Sequence, residues 1–262
     1  MDLGIKGKKA LIIGGSKGLG LSVAKALFDE GVDVALISRD KSNIAKALIH
    51  IKQSNKAEAI GYIADLADLN SVMKAIDDIE KVFGHIDILL NNSGGPHSSG
   101  VIDIESNVWE KYFQSMILPI FKITDRLITG MRQRGWGRIL TVASSTIIEP
   151  KPHLGISNTL RSSLSGWSKT LASEVAKDGV TVNLLLPGPI STDRTLFLDQ
   201  VSADRKNCSI DIIKEERIKN IPAGRYGNPE EFGAVATFLA STHASYVTGT
   251  MLRIDGGLIS SI

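Results

Sequence analysis

The sequence predicts a doubly wound α/β fold, a mostly parallel sheet with helices on both faces. Three observations lead there. Short apolar runs alternate with amphipathic helical patterns along most of the chain. A glycine-rich turn joins the first such run to the first helix. The 262 residues, 43% hydrophobic and 22% charged, suffice to bury both faces of a sheet, and the helical segments supply the crossovers that parallel strands need.

Taken in order, Lys9 to Ile13 is a first strand, followed by GGSKGLG and by a helix with Leu21, Ala24, Leu27 and Phe28 at helical spacing. Gly31 stops that helix, Asp33 to Ser38 is a second strand, and the helical pattern resumes from about Asn43 to Ser54. Strand Ala59 to Ile63, helix Leu69 to Phe83 and strand Ile86 to Asn91 repeat the alternation. A long helical segment covers about Asn107 to Arg134, Arg138 to Val142 is a strand, Ser157 to Lys177 a helix and Val180 to Leu186 the next strand. A polar, helix-prone stretch then runs to about Asn220, before a helix at Pro229 to Ser241 and a last strand at Met251 to Asp255. No repeat, low-complexity tract or linker divides the chain, so residues 1–262 are expected to form one dinucleotide-binding and catalytic domain. Residues 193–222 are the one irregular region, and an excursion after a strand's carboxyl end is expected to be a substrate lid.

Composition removes several function classes. Thirty basic and 28 acidic residues leave a net charge of +2, with no basic field for nucleic acid or an anionic membrane. No apolar run reaches the roughly 18 residues of a membrane span, and the N-terminal one is too short for a secretory signal. The single cysteine, Cys208, cannot form an intrachain disulfide, so a soluble protein in a reducing, cytoplasmic setting is expected. No metal site is expected.

The glycine turn lies between a strand and a helix, the context that gives such a turn mechanical meaning. Gly14, Gly18 and Gly20, with Ser16, Lys17 and Leu19 between them, let the backbone approach a pyrophosphate whose charge meets the helix N-terminal amides. This is a Rossmann-type dinucleotide site. NAD-specific sites usually carry an acidic side chain at the end of the second strand. Here that end reads Ile37-Ser38-Arg39. Arg39 suits a 2′-phosphate, Lys17 adds a second cation at the same corner, and Ser38 lies between them, so NADP is expected. Asp40 is the nearest carboxylate and keeps NAD as an alternative.

The spacing G-x-x-x-G-x-G resembles the short-chain dehydrogenase/reductase family, and later segments extend the likeness from about Gly7 to Gly257. Asp65 with Leu66 matches the family's adenine-contacting pair, and Asn91-Asn92-Ser93-Gly94 its N-N-A-G segment, with Asn92 and Gly94 implied at the cofactor. In Pro187-Gly188-Pro189-Ile190-Ser191-Thr192, the resemblance implies that Pro187, Gly188, Ile190 and Thr192 hold the nicotinamide end. Ile221 to Arg225, Asn228 to Glu231, Thr248-Gly249 and Asp255 to Gly257 match the C-terminal signatures. The whole looks most like the bacterial β-ketoacyl-reductase-like branch.

The catalytic positions depart from that family. Its serine falls on Ser144, but its tyrosine falls on Ser157, its lysine on Arg161 and its asparagine on Met116, while the usual threonine before the glycine turn is Ile13. In the family the tyrosine moves a proton at the substrate oxygen, and the lysine orients the nicotinamide ribose and lowers the tyrosine's pKa. A serine hydroxyl is a far weaker acid. Arg161, one helical turn from Ser157, keeps a positive charge for the ribose and a developing alkoxide but cannot shuttle protons. Met116 removes the amide that would hold a relay water. Ser144, Ser157 and Arg161 are therefore the candidate catalytic set. His97 and His153 border the expected cleft as candidate acids, Glu149 is a weaker one, and Trp109, Trp136 and Trp167 read as core or interface aromatics.

Two readings follow. One is an NADP-dependent oxidoreductase acting on a small or medium carbonyl or secondary alcohol through altered proton transfer. The other is a catalytically silent dinucleotide-binding sensor or partner subunit. The family's carrier-docking arginines fall on Gly135 and Asp178, with Arg132, Arg134 and Lys177 nearby. Ser162, Ser163, Ser165 and Gly166 permit a close helix contact, and a homotetramer is expected from the resemblance.

Overall fold

The computed structural model describes residues 1–52 and 57–262. The alternation produces β1 (Lys9–Ile13), α1 (Gly18–Asp29), β2 (Asp33–Ser38), α2 (Lys41–Ile51), β3 (Ala59–Ile63), α3 (Leu69–Phe83) and β4 (Ile88–Asn91). There follow α4 (Ser106–Tyr112), α5 (Leu118–Gln133), β5 (Gly137–Val142), α6 (Gly155–Val175) and β6 (Val180–Pro187). The chain finishes with α7 (Asp193–Lys206), α8 (Ile210–Lys219), α9 (Pro229–Ala240) and β7 (Met251–Ile254). Among the described residues, seven strands pair in the order β3-β2-β1-β4-β5-β6-β7, every pair parallel. The order reverses between β1 and β4, and ligands of such sheets bind in the crevice this reversal opens beyond the strands' carboxyl ends.

Successive strand residues face opposite sides, and the core divides accordingly. Ile12, Leu36, Leu90 and Leu140 meet Val23, Leu27 and Phe28 of α1 and Phe232, Ala236 and Leu239 of α9 on one face. Leu11, Ala35, Leu89 and Ile139 meet Ile76 and Ile79 of α3, Ile123 and Leu127 of α5 and Val175 of α6 on the other. Both faces are covered, which is why the strands read as continuous apolar runs.

Three expectations need correction. The helix expected over Asn107 to Arg134 is broken by a π-helical turn at Phe113–Ile117. Pro119 in the first turn of α5 has no N–H for the carbonyl one turn back, and its ring crowds that carbonyl. The second helix starts earlier, at Lys41, because Asp40 caps it by accepting the Asn43 N–H at 2.7 Å; its expected end, Ser54, lies outside the described residues. Residues 193–222 are not irregular but carry the helical pair α7 and α8. Asn207, at φ +51°, turns the chain after α7. Buried Asp199 ties the two helices by an ion pair with Arg217 at 2.5 Å.

Candidate active site

Three segments meet beyond the carboxyl ends of β1, β4 and β6. The glycine turn is held by contacts that tolerate no side chain: a Cβ on Gly20 would stand 2.2 Å from Gly14 O, and one on Gly14, at φ +65°, 2.6 Å from Asn92 O. Asn92 donates its side-chain amide to Gly14 O at 3.3 Å, fastening the β4 loop to the turn. Opposite lies the segment after β6. Gly188 donates its N–H to Ile254 O at 2.9 Å, and a Cβ there would stand 2.7 Å from Asp255 Cα. Ile190 is buried, and Thr192 caps α7 by accepting the Thr195 N–H at 3.3 Å. A Cβ on Gly18 would lie 3.5 Å from the Thr192 methyl carbon, so the glycine turn and this segment touch, and Lys17, Gly18, Ser191, Thr192 and Asp193 from the two line one cavity.

At the expected 2′-phosphate corner, Ser16 Oγ and Ser38 Oγ share a 2.7 Å hydrogen bond, joining the turn to the end of β2. Arg39 is exposed and has no carboxylate within ion-pair distance among the described residues. Lys17 lies 3.7 Å from Asp193 at the start of α7. Asp40, the carboxylate that keeps NAD in play, is engaged as the cap of α2. At the expected adenine pair, Asp65 accepts the Ala67 N–H at 3.0 Å and Leu66 packs against the core.

The catalytic candidates fall into different settings. Ser144 accepts the Thr146 N–H at 3.2 Å and shares a 2.9 Å hydrogen bond with Thr146 Oγ1 at the start of a short 3₁₀ turn. Ser157 and Arg161 share α6, as their spacing requires, but the Ser157 hydroxyl makes no hydrogen bond among the described residues. Arg161 is buried rather than facing solvent. It donates to Val142 O at 3.1 Å, Ser93 O at 3.2 Å and Gly94 O at 2.9 Å, knitting the ends of β5 and β4 together. Burial first, and Arg194 second, push its pKa down to about 10, so it stays charged at neutral pH. Met116 is 3% exposed and packs among Ala143, Leu164 and Leu184. An apolar side chain fills that place.

His97 is exposed and His153 half-buried, on loops stitched together where Ser99 donates its N–H to His153 O at 3.0 Å and Gly155 donates to Ser99 O at 2.8 Å. Burial, then Arg205, Arg217 and Lys151, hold His153 below its ordinary value. Glu149 is taken up by Lys151 at 2.5 Å. Of the tryptophans, Trp136 lies beneath Lys8 and Arg138, and Trp167 packs on Phe121 at 5.0 Å. Among the described residues, no cluster of His, Cys, Asp and Glu could hold a metal, and no helix is long and apolar enough to cross a membrane.

One neighbour was not legible in the sequence. Arg194, in the first turn of α7, donates to Pro96 O at 2.8 Å and stacks against Phe197 at 5.5 Å. It sits among charged residues on a polar helix, where nothing in the pattern separates it from a solvated surface arginine.

The family model described as "Enoyl-(Acyl carrier protein) reductase" matches residues 14–259. A 3-oxoacyl-[acyl-carrier-protein] reductase of Vibrio harveyi is 30% identical over 98% of this chain and 99% of its own length. The dehydrogenase/reductase SDR family member 4 of Caenorhabditis elegans is 30% identical over 97% of this chain and 95% of its own. Among solved structures, the L-sorbose reductase of Gluconobacter frateurii, complexed with NADPH and L-sorbose, superposes with a TM-score of 0.93 at 29% identity, each chain fully covered.

Proposed function

The chain belongs to the short-chain dehydrogenase/reductase family, and from that premise we propose that it is an NADP-dependent oxidoreductase working on a small or medium carbonyl or secondary alcohol through an altered active site. The observation that carries this reading is the two-walled cleft at the sheet's reversal, with a buried, charged Arg161 tied to the loop that follows β4. The residues present fit the dinucleotide. The glycine cradle would be filled by any Cβ on Gly14 or Gly20, the Ser16–Ser38 corner carries an unpaired Arg39, and Asp40 is engaged elsewhere. Gly14, Ser16, Lys17, Gly18, Leu19 and Gly20 would hold the pyrophosphate. Ser38 and Arg39 would hold the 2′-phosphate, Asp65 and Leu66 the adenine, and Asn92, Gly94, Pro187, Gly188, Ile190 and Thr192 the nicotinamide half. When bound, the nicotinamide supplies or accepts the hydride.

Reduction adds one hydride to the carbonyl carbon and one proton to its oxygen. The chain's own part is to position and polarise. Ser144 presents a hydroxyl at the end of β5, and Arg161, behind the loop after β4, sets a fixed positive charge that would stabilise the negative charge developing on the substrate oxygen. Arg161 holds its carbonyl partners through donors and gives up no proton at neutral pH. The proton comes from water or from an imidazole at the cleft border, His153 or His97.

The test is calorimetric titration with NADPH and NADH, followed by cofactor consumption over a panel of carbonyls, repeated for Ser144→Ala. Tighter NADPH binding with turnover that Ser144→Ala lowers supports the reading. Tighter NADH binding contradicts the cofactor assignment. Met116, packed in the core where a relay water would be held, favours a second reading, a silent dinucleotide-binding protein; NADPH binding with no turnover would select it.

A homotetramer is part of the proposal. Gly166 on α6 faces open space, and Ser162, Ser163 and Ser165 satisfy their hydroxyls on their own helix, leaving a smooth face for a partner helix. A carrier-protein substrate fits poorly, since Arg132 is committed to Asp178 at 2.6 Å and Arg134 to Ile86 O at 2.6 Å. A cytoplasmic setting is in keeping with Cys208 as the sole cysteine.

A further inference from the structure

Arg194 and Arg161 flank the same loop. Arg161 holds the Ser93 and Gly94 carbonyls from below, while Arg194 reaches over from α7 to Pro96, its Nη2 2.9 Å from where a Cβ on Gly95 would stand. Neither guanidinium has a carboxylate within ion-pair distance among the described residues. The nearby acids are taken: Asp193 by Lys17, Asp199 by Arg217, Glu149 by Lys151. Arg194 is exposed, and of its five N–H donors one is used among the described residues. The buried hydroxyl of Ser93, the residue whose carbonyl Arg161 holds, has no partner among the described residues. Two cations beside one loop, one of them fully desolvated, are an arrangement that an arriving anion stabilises and an arriving neutral group does not.

We propose that Arg194 selects the substrate by binding a carboxylate carried on the carbonyl compound, so that the preferred substrates are oxo acids. The proposal rests on the oxidoreductase reading and names its substrate class. A guanidinium matches a carboxylate bidentately, and Phe197 beside it provides an apolar wall for the carbon chain. The cofactor's phosphates are provided for elsewhere, by the glycine turn with Lys17 and Arg39.

The experiment titrates the protein saturated with NADP⁺ with short- and medium-chain 2-oxo and 3-oxo acids and, in parallel, with their methyl esters, for the natural chain, Arg194→Gln and Arg194→Lys. The acids are expected to bind at least about tenfold tighter than the esters. Arg194→Gln should erase that difference, and Arg194→Lys should keep part of it, while NADP⁺ affinity stays within about twofold in both. Esters that bind as well as acids, or a preference that survives Arg194→Gln, would overturn the proposal. So would a loss of NADP⁺ affinity in Arg194→Gln, because the arginine would then serve the cofactor. Failure of the natural chain to take up NADP⁺ would sink the oxidoreductase reading instead. The acid and ester titrations on the cofactor-free protein, where both arginines already stand, would then judge the carboxylate site by the same criteria.

Discussion

Arg161 and Ser157 are neighbours on one helix with opposite weights. Removing the Arg161 side chain strips three carbonyls of their donor in a buried place, and each bond to a charged group contributes about 1.5–3 kcal/mol. Arg161→Ala should therefore lower the melting temperature, weaken NADPH binding and abolish turnover. Ser157 Oγ bonds nothing among the described residues, so Ser157→Ala should change stability by less than about 0.5 kcal/mol and cost roughly tenfold or less in rate. At the other end of the cleft, Arg39→Asp should reverse the preference between NADPH and NADH in calorimetry, since it exchanges the cation at the end of β2 for the acid that binds a ribose hydroxyl. His153 makes a pH prediction. Burial and three cations hold its folded pKa below the usual 6.5, so the unfolded chain binds the proton more readily. Stability is then intact above pH 6.5 and is lost as pH falls below it. The drop in melting temperature between neutral and mildly acid buffer should be smaller in His153→Gln. If His153 is also the proton donor, the rate profile has its limb below that same pH, and no alkaline tyrosine limb.

The glycine turn shows how a local pattern becomes a binding element. With Gly14 O only 2.2 Å from a Cβ built on Gly20, Gly20→Ala must push β1 and α1 apart. Thermal melting should fall by several degrees and NADPH affinity by about tenfold or more; an alanine variant that binds normally would mean the turn does not cradle the cofactor. The turn, its strand and its helix were legible because glycine spacing and apolar runs are properties of adjacent residues. Three features were not. The π turn at Phe113–Ile117 depends on Pro119 acting one turn back inside a pattern that otherwise reads as unbroken helix. The order of 193–222 depends on Asp199 meeting Arg217 across a loop, a pairing that periodicity does not carry. Arg161 was found from its place in the family's motif, yet its burial beneath Ser93 and Gly94 follows only from how β4, β5 and α6 converge.

At the scale of the whole molecule, the topology explains why distant segments share one cleft. Gly14, Asn92, Ala143 and Gly188 lie far apart in sequence, yet each follows a strand of one parallel sheet, so all emerge on its carboxyl edge. If the proposed assembly through α5 and α6 holds, light scattering at micromolar concentration should report a tetramer; a monomer would contradict that part of the account. The central claim concerns chemistry without the family's tyrosine. It is tested most directly by the rate of NADPH oxidation with one accepted carbonyl substrate in the natural chain, Ser157→Ala and Arg161→Ala, each verified as folded. Turnover in the natural chain, retention within about tenfold in Ser157→Ala and none in Arg161→Ala is the predicted result. A natural chain that binds NADPH but oxidises none of it across the carbonyl panel, or a Ser157→Ala variant as inactive as Arg161→Ala, would contradict it.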